Sequence, residues 1–238
     1  MDGSEELKRR LDAVHERIEL AERRAGRAPG EVEIVAVTKT VDREIVDRAI
    51  KLGVRHFAEN RVQVARDKFQ SPLPSGVSLS LVGQLQSNKV RPAFRLFDQI
   101  ESVDRASLIS ALEREADRVG HSASLLLQVN VAREPQKSGC DPTEVDELAN
   151  AIHNSPHLHL RGLMTIAPLC DDPRELRPIF RWMKNCHDRL APRAPDDRFN
   201  VLSMGMTNDF EVAIEEGATH VRIGRAIFGP SITGLESP

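Results

Sequence analysis

The feature that most restricts the fold of this chain is a repeated order of short apolar run, polar turn and amphipathic helix. The apolar runs have the length and the β-branched content of strands buried on both faces of a parallel sheet. They begin near Glu33, Val54, Leu79, Asp98, Leu125, Leu158, Phe199 and His220. Eight such repeats in 238 residues favour a closed (β/α)8 barrel, since an open doubly wound sheet usually has about five or six strands.

Helical patterns separate these runs and give the expected order of elements. They lie at about 42–52, 60–69, 87–95, 104–118, 142–153, 173–190 and 207–216, and a further amphipathic helix at about 4–24 precedes the first run. Helix N-caps are expected at Asp42, Ser87, Asp104 and Asp141. Because no linker or change of composition divides the pattern, we expect one α/β domain over residues 1–238, a TIM-type barrel with an extra N-terminal helix.

Charge and cysteine content exclude several classes of protein. The net charge is −3, from 33 basic and 36 acidic residues, so no overall positive field exists to hold a nucleic acid. The three cysteines are odd in number and lack C-x-x-C spacing, which argues against a disulfide framework and a tetrahedral zinc site. No signal peptide and no long apolar run is present. We therefore expect a cytoplasmic protein that contacts neither nucleic acid nor membrane.

Lysine is scarce in this chain, and Lys39 is placed where a barrel carries its chemistry. It follows the run that ends at Thr38, at the carboxyl end of the first predicted strand. We expect its amine to be partly desolvated there, which would free it to form a Schiff base with a carbonyl. A lysine at a strand end can also extend to water without any role. Position alone leaves both interpretations open.

Two loops rich in small residues, at 202–207 and 221–229, follow the seventh and eighth predicted strands. Backbone N–H groups in such loops can approach an anion closely, and barrel enzymes commonly bind phosphate at these two loops. Each glycine could instead serve only a turn. A lysine and a phosphate cradle on the same rim indicate a phosphorylated aldehyde, of which pyridoxal 5′-phosphate (PLP) is the most obvious example.

Short motifs run through almost the whole chain in one order: Ala36-Val37-Thr38-Lys39, Phe57-Ala58-Glu59-Asn60, Gly83-Gln84-Leu85-Gln86-Ser87-Asn88-Lys89, Gln128-Val129-Asn130, Gly162-Leu163-Met164-Thr165, Ser203-Met204-Gly205-Met206, Val221-Arg222-Ile223-Gly224 and Ala226-Ile227-Phe228-Gly229. Together they resemble the pyridoxal-phosphate homeostasis protein family, whose members are single barrels similar to the N-terminal domain of bacterial alanine racemases. The resemblance implies the same barrel and the same cofactor.

The resemblance also implies which residues bind the cofactor: Lys39, Asn60, Ser203, Met204, Gly205, Arg222, Gly224 and Arg225. In the family, the lysine that matches Lys39 forms the internal aldimine with the C4′ aldehyde of PLP. The residue that matches Asn60 lies near the cofactor edge.

The remaining implied roles concern the phosphate and the ring. The serine matching Ser203 and the backbone of Gly224 and Arg225 would bind the phosphate. The arginine matching Arg222 would face the pyridine nitrogen, and a permanently charged donor there keeps that nitrogen unprotonated and weakens the ring as an electron sink.

Two positions depart from the family pattern. Ser80 stands where members often carry a histidine, and Arg225 stands where they usually carry a small hydroxyl residue. The second change keeps the backbone N–H, and the guanidinium could itself contact the phosphate. We expect cofactor binding to survive both changes.

Other candidate residues are interpreted more simply. His157 and His159 lie at strand spacing without a third ligand nearby, so we expect a solvated pair and no metal site. Cys140 precedes a helix, which could stabilise a thiolate, but an inert loop thiol is the simpler interpretation. Lys137 could also reach the mouth and competes with Lys39 on position, whereas the resemblance favours Lys39.

The resulting functional hypothesis is a monomeric or weakly associating protein that holds PLP as a Lys39 aldimine. It would act in intracellular PLP homeostasis and amino-acid metabolism, with PLP-dependent apo-enzymes as partners. One alternative is a PLP-dependent amino-acid racemase, and a weaker one is an aldolase-type barrel acting on a sugar phosphate. Alanine racemases take their second base from a tyrosine of a neighbouring subunit's C-terminal domain, whereas this chain has no tyrosine. This favours a cofactor-binding protein, although cysteine or histidine could substitute.

Overall fold

Eight parallel strands close into a barrel in sequence order in the computed structural model, which describes residues 3–195 and 197–229. The strands are β1 (Glu33–Val37), β2 (His56–Glu59), β3 (Ser78–Leu81), β4 (Gln99–Val103), β5 (Ala123–Gln128), β6 (Leu158–Met164), β7 (Val201–Met206) and β8 (His220–Ile223). Each strand pairs with the next, and β8 pairs with β1. The predicted (β/α)8 barrel is confirmed.

Helices connect the strands on the outside of the barrel. They are α1 (Gly3–Arg24), α2 (Arg43–Lys51), α3 (Val62–Lys68), α4 (Val90–Leu96), α5 (Ala106–Val119), α6 (Val145–His153), α7 (Arg177–Leu190), α8 (Phe210–Glu215) and α9 (Arg225–Phe228). Short 3-10 turns precede α4, α6 and α7 and follow α7. Within the described residues, no helix combines the length and the apolar character needed to cross a lipid bilayer.

The extra N-terminal helix α1 is confirmed, and it packs on the outside of the barrel. Leu11, Val14 and Ile18 on one face of α1 are buried in the main apolar core. Polar contacts add to this packing, because Arg17 Nε donates to Glu211 Oε1 on α8 at 2.7 Å. The helix therefore packs against α8 and α9.

Two of the four predicted N-caps are correct. Asp42 accepts from the backbone N–H of Ile45 at the start of α2, and Asp141 begins a capping box before α6. The predictions at Ser87 and Asp104 are wrong. Gln86 precedes the 3-10 turn that begins at Ser87 and makes no side-chain cap there. Asp104 accepts instead from the guanidinium of Arg105, the residue that precedes α5.

The two faces of the sheet differ in polarity: the outer face is apolar, and much of the inner face is polar. Outward side chains of the strands join those of the helices in the main core. A second, small apolar cluster of Leu126, Met164 and Val201 is separate from this main core. Much of the barrel interior is polar, because Ser203 on β7 reaches across to Glu101 on β4. Apolar layers usually fill such barrels, so polar side chains at this depth call for a specific explanation.

Candidate functional site

The exit of β1 presents Lys39 at the carboxyl end of the barrel. Lys39 is exposed, and its ammonium group makes no hydrogen bond or ion pair with the residues that the structure describes. The expectation that this amine would be partly desolvated is therefore wrong for the structure. Its strand ends at Val37, and the exit turn carries Lys39 beyond the packed wall.

A buried ion pair holds this exit turn in place. Lys68 Nζ at the end of α3 donates to the carbonyl of Thr38 and to Glu59 Oε1, each at 2.5 Å. Thr38 Oγ1 also donates to Glu59 Oε1 at 2.7 Å. Because the residue before Lys39 is bound at both its carbonyl and its hydroxyl, Lys39 leaves the barrel in a defined direction. Sequence reasoning missed Lys68, although Glu59 lies in a quoted motif.

Arg222 occupies the interior of the barrel below Lys39. Its guanidinium donates to Ser203 Oγ at 2.8 Å and to the carbonyl of Thr165 at 2.7 Å. Burial lowers the pKa of Arg222, whereas Glu101 and Asp209 oppose that change. Since a guanidinium stays protonated in proteins, Arg222 is a fixed cationic donor inside the barrel.

The loop after β8 lies beside the end of β1. A Cβ atom on Gly224 would lie 3.0 Å from the carbonyl oxygen of Val37, so glycine allows this close approach. Arg225 follows at the start of α9, where its side chain is exposed and donates weakly to Asn208 Oδ1 at 3.5 Å. Gly224 and Arg225 therefore share one edge with Lys39.

Asn60 completes that edge on the other side of β1. It follows β2, and its side chain is half-buried. A Cβ atom on Gly83 would overlap the carbonyl oxygen of Asn60 at 1.9 Å, so Gly83 is required for the β3 exit to pass here. Since β8, β1 and β2 are neighbours, the structure brings Asn60, Lys39 and the Gly224 loop together.

Three of the residues predicted to bind the cofactor, Ser203, Met204 and Gly205, lie within β7 and not in the loop that follows it. The hydroxyl of Ser203 is fully buried, where it donates to Glu101 Oε2 at 2.7 Å and accepts from Arg222. Met204 is buried in the core between sheet and helices. Gly205 has φ +93°, and a Cβ there would lie 2.6 Å from Cβ of Ala213. Packing on α8 thus explains this glycine, and phosphate roles for these three residues stay predictions.

Neither Lys137 nor Cys140 is available for reaction: Lys137 binds other groups, and Cys140 is buried. Lys137 Nζ donates to the carbonyl of Ala167 at 3.0 Å and pairs with Glu134, so its amine is less available than that of Lys39. Burial raises the pKa of Cys140 to about 12, so this thiol is inert at neutral pH.

Neither His157 nor Ser80, which departs from the family pattern, lies near Lys39 at the carboxyl end of the barrel. The side chain of His157 is 34% exposed, and its Nδ1 lies 2.9 Å from Glu113 Oε1. His159 is partly buried on β6. Ser80 Oγ lies 2.7 Å from His56 Nε2 in the lower half of the barrel, so this position does not reach Lys39.

Known proteins are similar to this chain along most of its length. The sequence model of the family "Alanine racemase, N-terminal domain" matches residues 10–232. A pyridoxal phosphate homeostasis protein of Aquifex aeolicus is 37% identical over 92% of this chain and 96% of the relative. One of Escherichia coli K12 is 39% identical over 92% of this chain and 94% of the relative.

A solved structure is also similar to this chain along most of its length. PipY of Synechococcus elongatus, whose structure was solved with PLP bound, is 35% identical and superimposes with a TM-score of 0.81 over 94% of this chain and 100% of PipY. Identity well above 30% along nearly the full length of both proteins, together with the shared barrel, establishes that this chain belongs to the pyridoxal phosphate homeostasis protein family.

Proposed function

We propose that this chain binds PLP at the carboxyl end of the barrel and holds it covalently through Lys39. The observation that carries the proposal is the exposed amine of Lys39, which has no polar partner among the described residues and lies beside the Gly224 loop and above the buried Arg222 guanidinium. The family name of the relatives and the PLP-bound structure of PipY support the choice of cofactor.

Lys39 supplies the covalent contact in this proposal. Its neutral amine would attack the aldehyde carbon of PLP, and formation of the C=N bond would release one water molecule. PLP supplies an aldehyde and, when bound, an electron-withdrawing ring. The Lys68 and Glu59 pair would keep the Lys39 backbone fixed during this step, because Lys68 donates to the carbonyl of Thr38 and Glu59 accepts from its hydroxyl.

Arg222 would set the electronic character of the bound ring. Its guanidinium is fixed by Ser203 and by the carbonyl of Thr165, which leaves other N–H groups of the same fork for the pyridine nitrogen. A permanent donor at that nitrogen prevents its protonation and restrains carbanion chemistry. Alanine racemases show that such a restraint does not abolish this chemistry, so the choice between a holder of PLP and a racemase rests on other residues.

The phosphate would lie against the loop after β8. Gly224 allows close backbone approach there, and the Arg225 guanidinium is exposed and weakly bound, so both can meet a dianion. The main chain of Ser203, Met204 and Gly205 borders the same side, and Asn60 borders the opposite one. Two buried polar atoms at the ends of neighbouring strands, Gln128 Oε1 and Ser102 Oγ, have no hydrogen-bond partner in the described part of the chain, which also fits a polar occupant.

The biological role that we propose is to hold a reactive aldehyde and release it to PLP-dependent apo-enzymes. The protein would act in the cytoplasm, and changes in its amount would alter amino-acid metabolism through cofactor supply. The free state of Cys140, Cys170 and Cys186 fits a reducing compartment. We further propose that residues 1–238 form one domain and that the protein acts as a monomer.

An absorption titration tests the proposed site. Wild-type protein mixed with PLP should develop the band of a protonated Schiff base, which borohydride abolishes. Lys39→Ala should not develop the band, whereas Lys89→Ala, which removes another exposed lysine, should match the wild type. An unchanged band in Lys39→Ala would refute the assignment.

A second measurement separates a holder of PLP from a racemase. The PLP-loaded protein is incubated in deuterated water with L- and D-amino acids, and exchange at Cα is followed. We expect no catalytic exchange. Efficient exchange with any common amino acid would replace the proposed role with a racemase.

A further inference from the structure

Three side chains of metal-binding type meet at the end of the barrel opposite Lys39. Glu33, His56 and His220 are the first residues of β1, β2 and β8. Strand β1 lies between β8 and β2, and Glu33 is in register with His220. Side chains alternate along a strand, so equivalent positions on neighbouring strands turn toward the same side. Residues far apart in sequence are thereby brought together.

The donor atoms of these residues are close enough to share one ion. His56 Nδ1 lies 2.9 Å from Glu33 Oε1, and His220 Nε2 lies 3.4 Å from Glu33 Oε2. One ligand atom from each residue falls within 4.8 Å of the other two. Tetrahedral Zn²⁺ with bonds of about 2.0–2.1 Å has ligand atoms roughly 3.3 Å apart. Side-chain rotations that move the ligand atoms by about 1 Å would therefore allow all three residues to bind one ion.

Hydrogen bonds on the far side of each imidazole orient both rings. His56 Nε2 lies 2.7 Å from the buried Ser80 Oγ, and His220 Nδ1 lies 2.9 Å from Thr219 Oγ1. When these outer nitrogens carry the protons, the lone pairs of the inner nitrogens face Glu33. Metal-bound histidines almost always donate their second N–H to a hydrogen-bond acceptor, and a hydroxyl oxygen can accept it. The outer contacts of a metal site are thus in place.

We propose that Glu33, His56 and His220 form a binding site for a divalent transition metal, with Zn²⁺ as the preferred ion. Two imidazoles and one carboxylate form a common zinc ligand set, which leaves the fourth position for water or a small ligand. Imidazole selects against Mg²⁺ and Ca²⁺, which prefer oxygen ligands.

An access route to this site exists at the same end of the barrel. All three residues line a cleft of about 940 Å³ that is bounded on one side by α1. The side chain of Glu33 is 52% exposed, so an ion can reach the carboxylate from solvent before the histidines close on it. The site is independent of the proposed PLP site, which lies at the other end of the strands.

A metal titration tests the proposal on tag-free protein that has been freed of metal by a chelator. Co²⁺ should produce a visible absorption band that saturates at about one equivalent, and Zn²⁺ should abolish it by displacement. Glu33→Gln and His220→Ala should weaken binding on the order of 100-fold, and Ser80→Ala by about 10-fold. His157→Ala should bind like the wild type, because its histidine also contacts a glutamate but belongs to no three-residue cluster in the part of the chain that is described.

The proposal is overturned if wild-type protein shows no saturable Co²⁺ or Zn²⁺ binding, or if Glu33→Gln binds as tightly as wild type. A variant of the buried His56 could fail to fold, so X-ray absorption at the zinc edge of the wild-type protein provides a second measurement. It should show two imidazole nitrogens and carboxylate oxygen around the ion. A shell that contains thiolate sulfur, or water alone, would contradict the site.

Discussion

Replacing Ser203 with alanine tests whether this hydroxyl belongs to the barrel interior or to a ligand. Ser203 Oγ lies between Glu101 Oε2, at 2.7 Å, and the Arg222 guanidinium, at 2.8 Å. All three residues are buried. Ser203→Ala would leave a carboxylate oxygen and a guanidinium N–H each without this partner, in a place that water reaches poorly.

The magnitude follows from the two lost contacts. A hydrogen bond to a charged group contributes about 1.5–3 kcal/mol, so the two together set an upper limit of about 6 kcal/mol. A single oxygen separates the two charged groups, so they can move closer and recover part of this loss. We therefore expect the free energy of unfolding to fall by about 3 kcal/mol in protein without PLP.

Urea unfolding followed by circular dichroism measures this change. With a slope of about 3 kcal/mol per molar, the midpoint should fall by about 1 M. Ser110→Ala is the matched control, because Ser110 is exposed and donates only to the carbonyl of Ala106 at 3.0 Å, and its midpoint should stay within about 0.2 M. If Ser203→Ala also stays within about 0.2 M of wild type, Ser203 does not hold Arg222 in place.

Two other predictions concern packing and pH. Gly205→Ala should lower the midpoint of thermal unfolding by about 6–12 °C, because its Cβ would approach Cβ of Ala213 to 2.6 Å at a φ of +93°. Gly76→Ala should cost only about 2–4 °C, since among the described residues nothing beyond its own chain neighbours lies within 4 Å of its Cβ position, and equal effects would contradict the packing argument. Burial lowers the pKa of His187, which stacks on Phe199, so the folded state is favoured above about pH 6.5 and loses stability as the pH falls through the lowered pKa. Stability measured by urea unfolding between about pH 7 and pH 5 should therefore fall less in His187→Phe than in wild type, and equal losses would refute this assignment.

The barrel could be predicted from the chain because its signal is repeated. Each strand appears as a short apolar run, and each helix as a segment with apolar residues at helical spacing, so errors at single boundaries do not change the count. The helix N-cap residues were harder to predict. Asp104 has the right side chain for a cap, yet it binds the neighbouring Arg105 instead. Such a choice depends on three-dimensional neighbours that local sequence does not specify.

The site at the carboxyl end of the barrel was predictable in part, because barrel enzymes carry their functional residues just after the strands. Lys39, Asn60 and the Gly224 loop all follow strands that are neighbours in the barrel, so topology alone brings them together. The depth of each side chain was not predictable. Ser203 lies inside β7 instead of beyond it, and a bulge before Met206 changes the register with β8. A shift of one residue changes whether a side chain faces the interior or the core.

The contacts that span long stretches of sequence were the least predictable. Lys68 reaches back to Thr38 over 30 residues, and Ser203 pairs with Glu101 over 102 residues. Nothing in the local pattern marks either contact. Polar residues within a predicted strand, such as Glu101 and Ser102 on β4, are the signal that could have indicated a polar barrel interior.

Mass analysis of borohydride-reduced protein tests the central claim most directly. Purified protein is loaded with PLP, reduced, digested with a protease, and its peptides are searched for the reduced cofactor. The predicted result is a single stoichiometric adduct on the amine of Lys39. An adduct on another lysine, such as Lys137, or no adduct after saturating PLP, would contradict the proposed function.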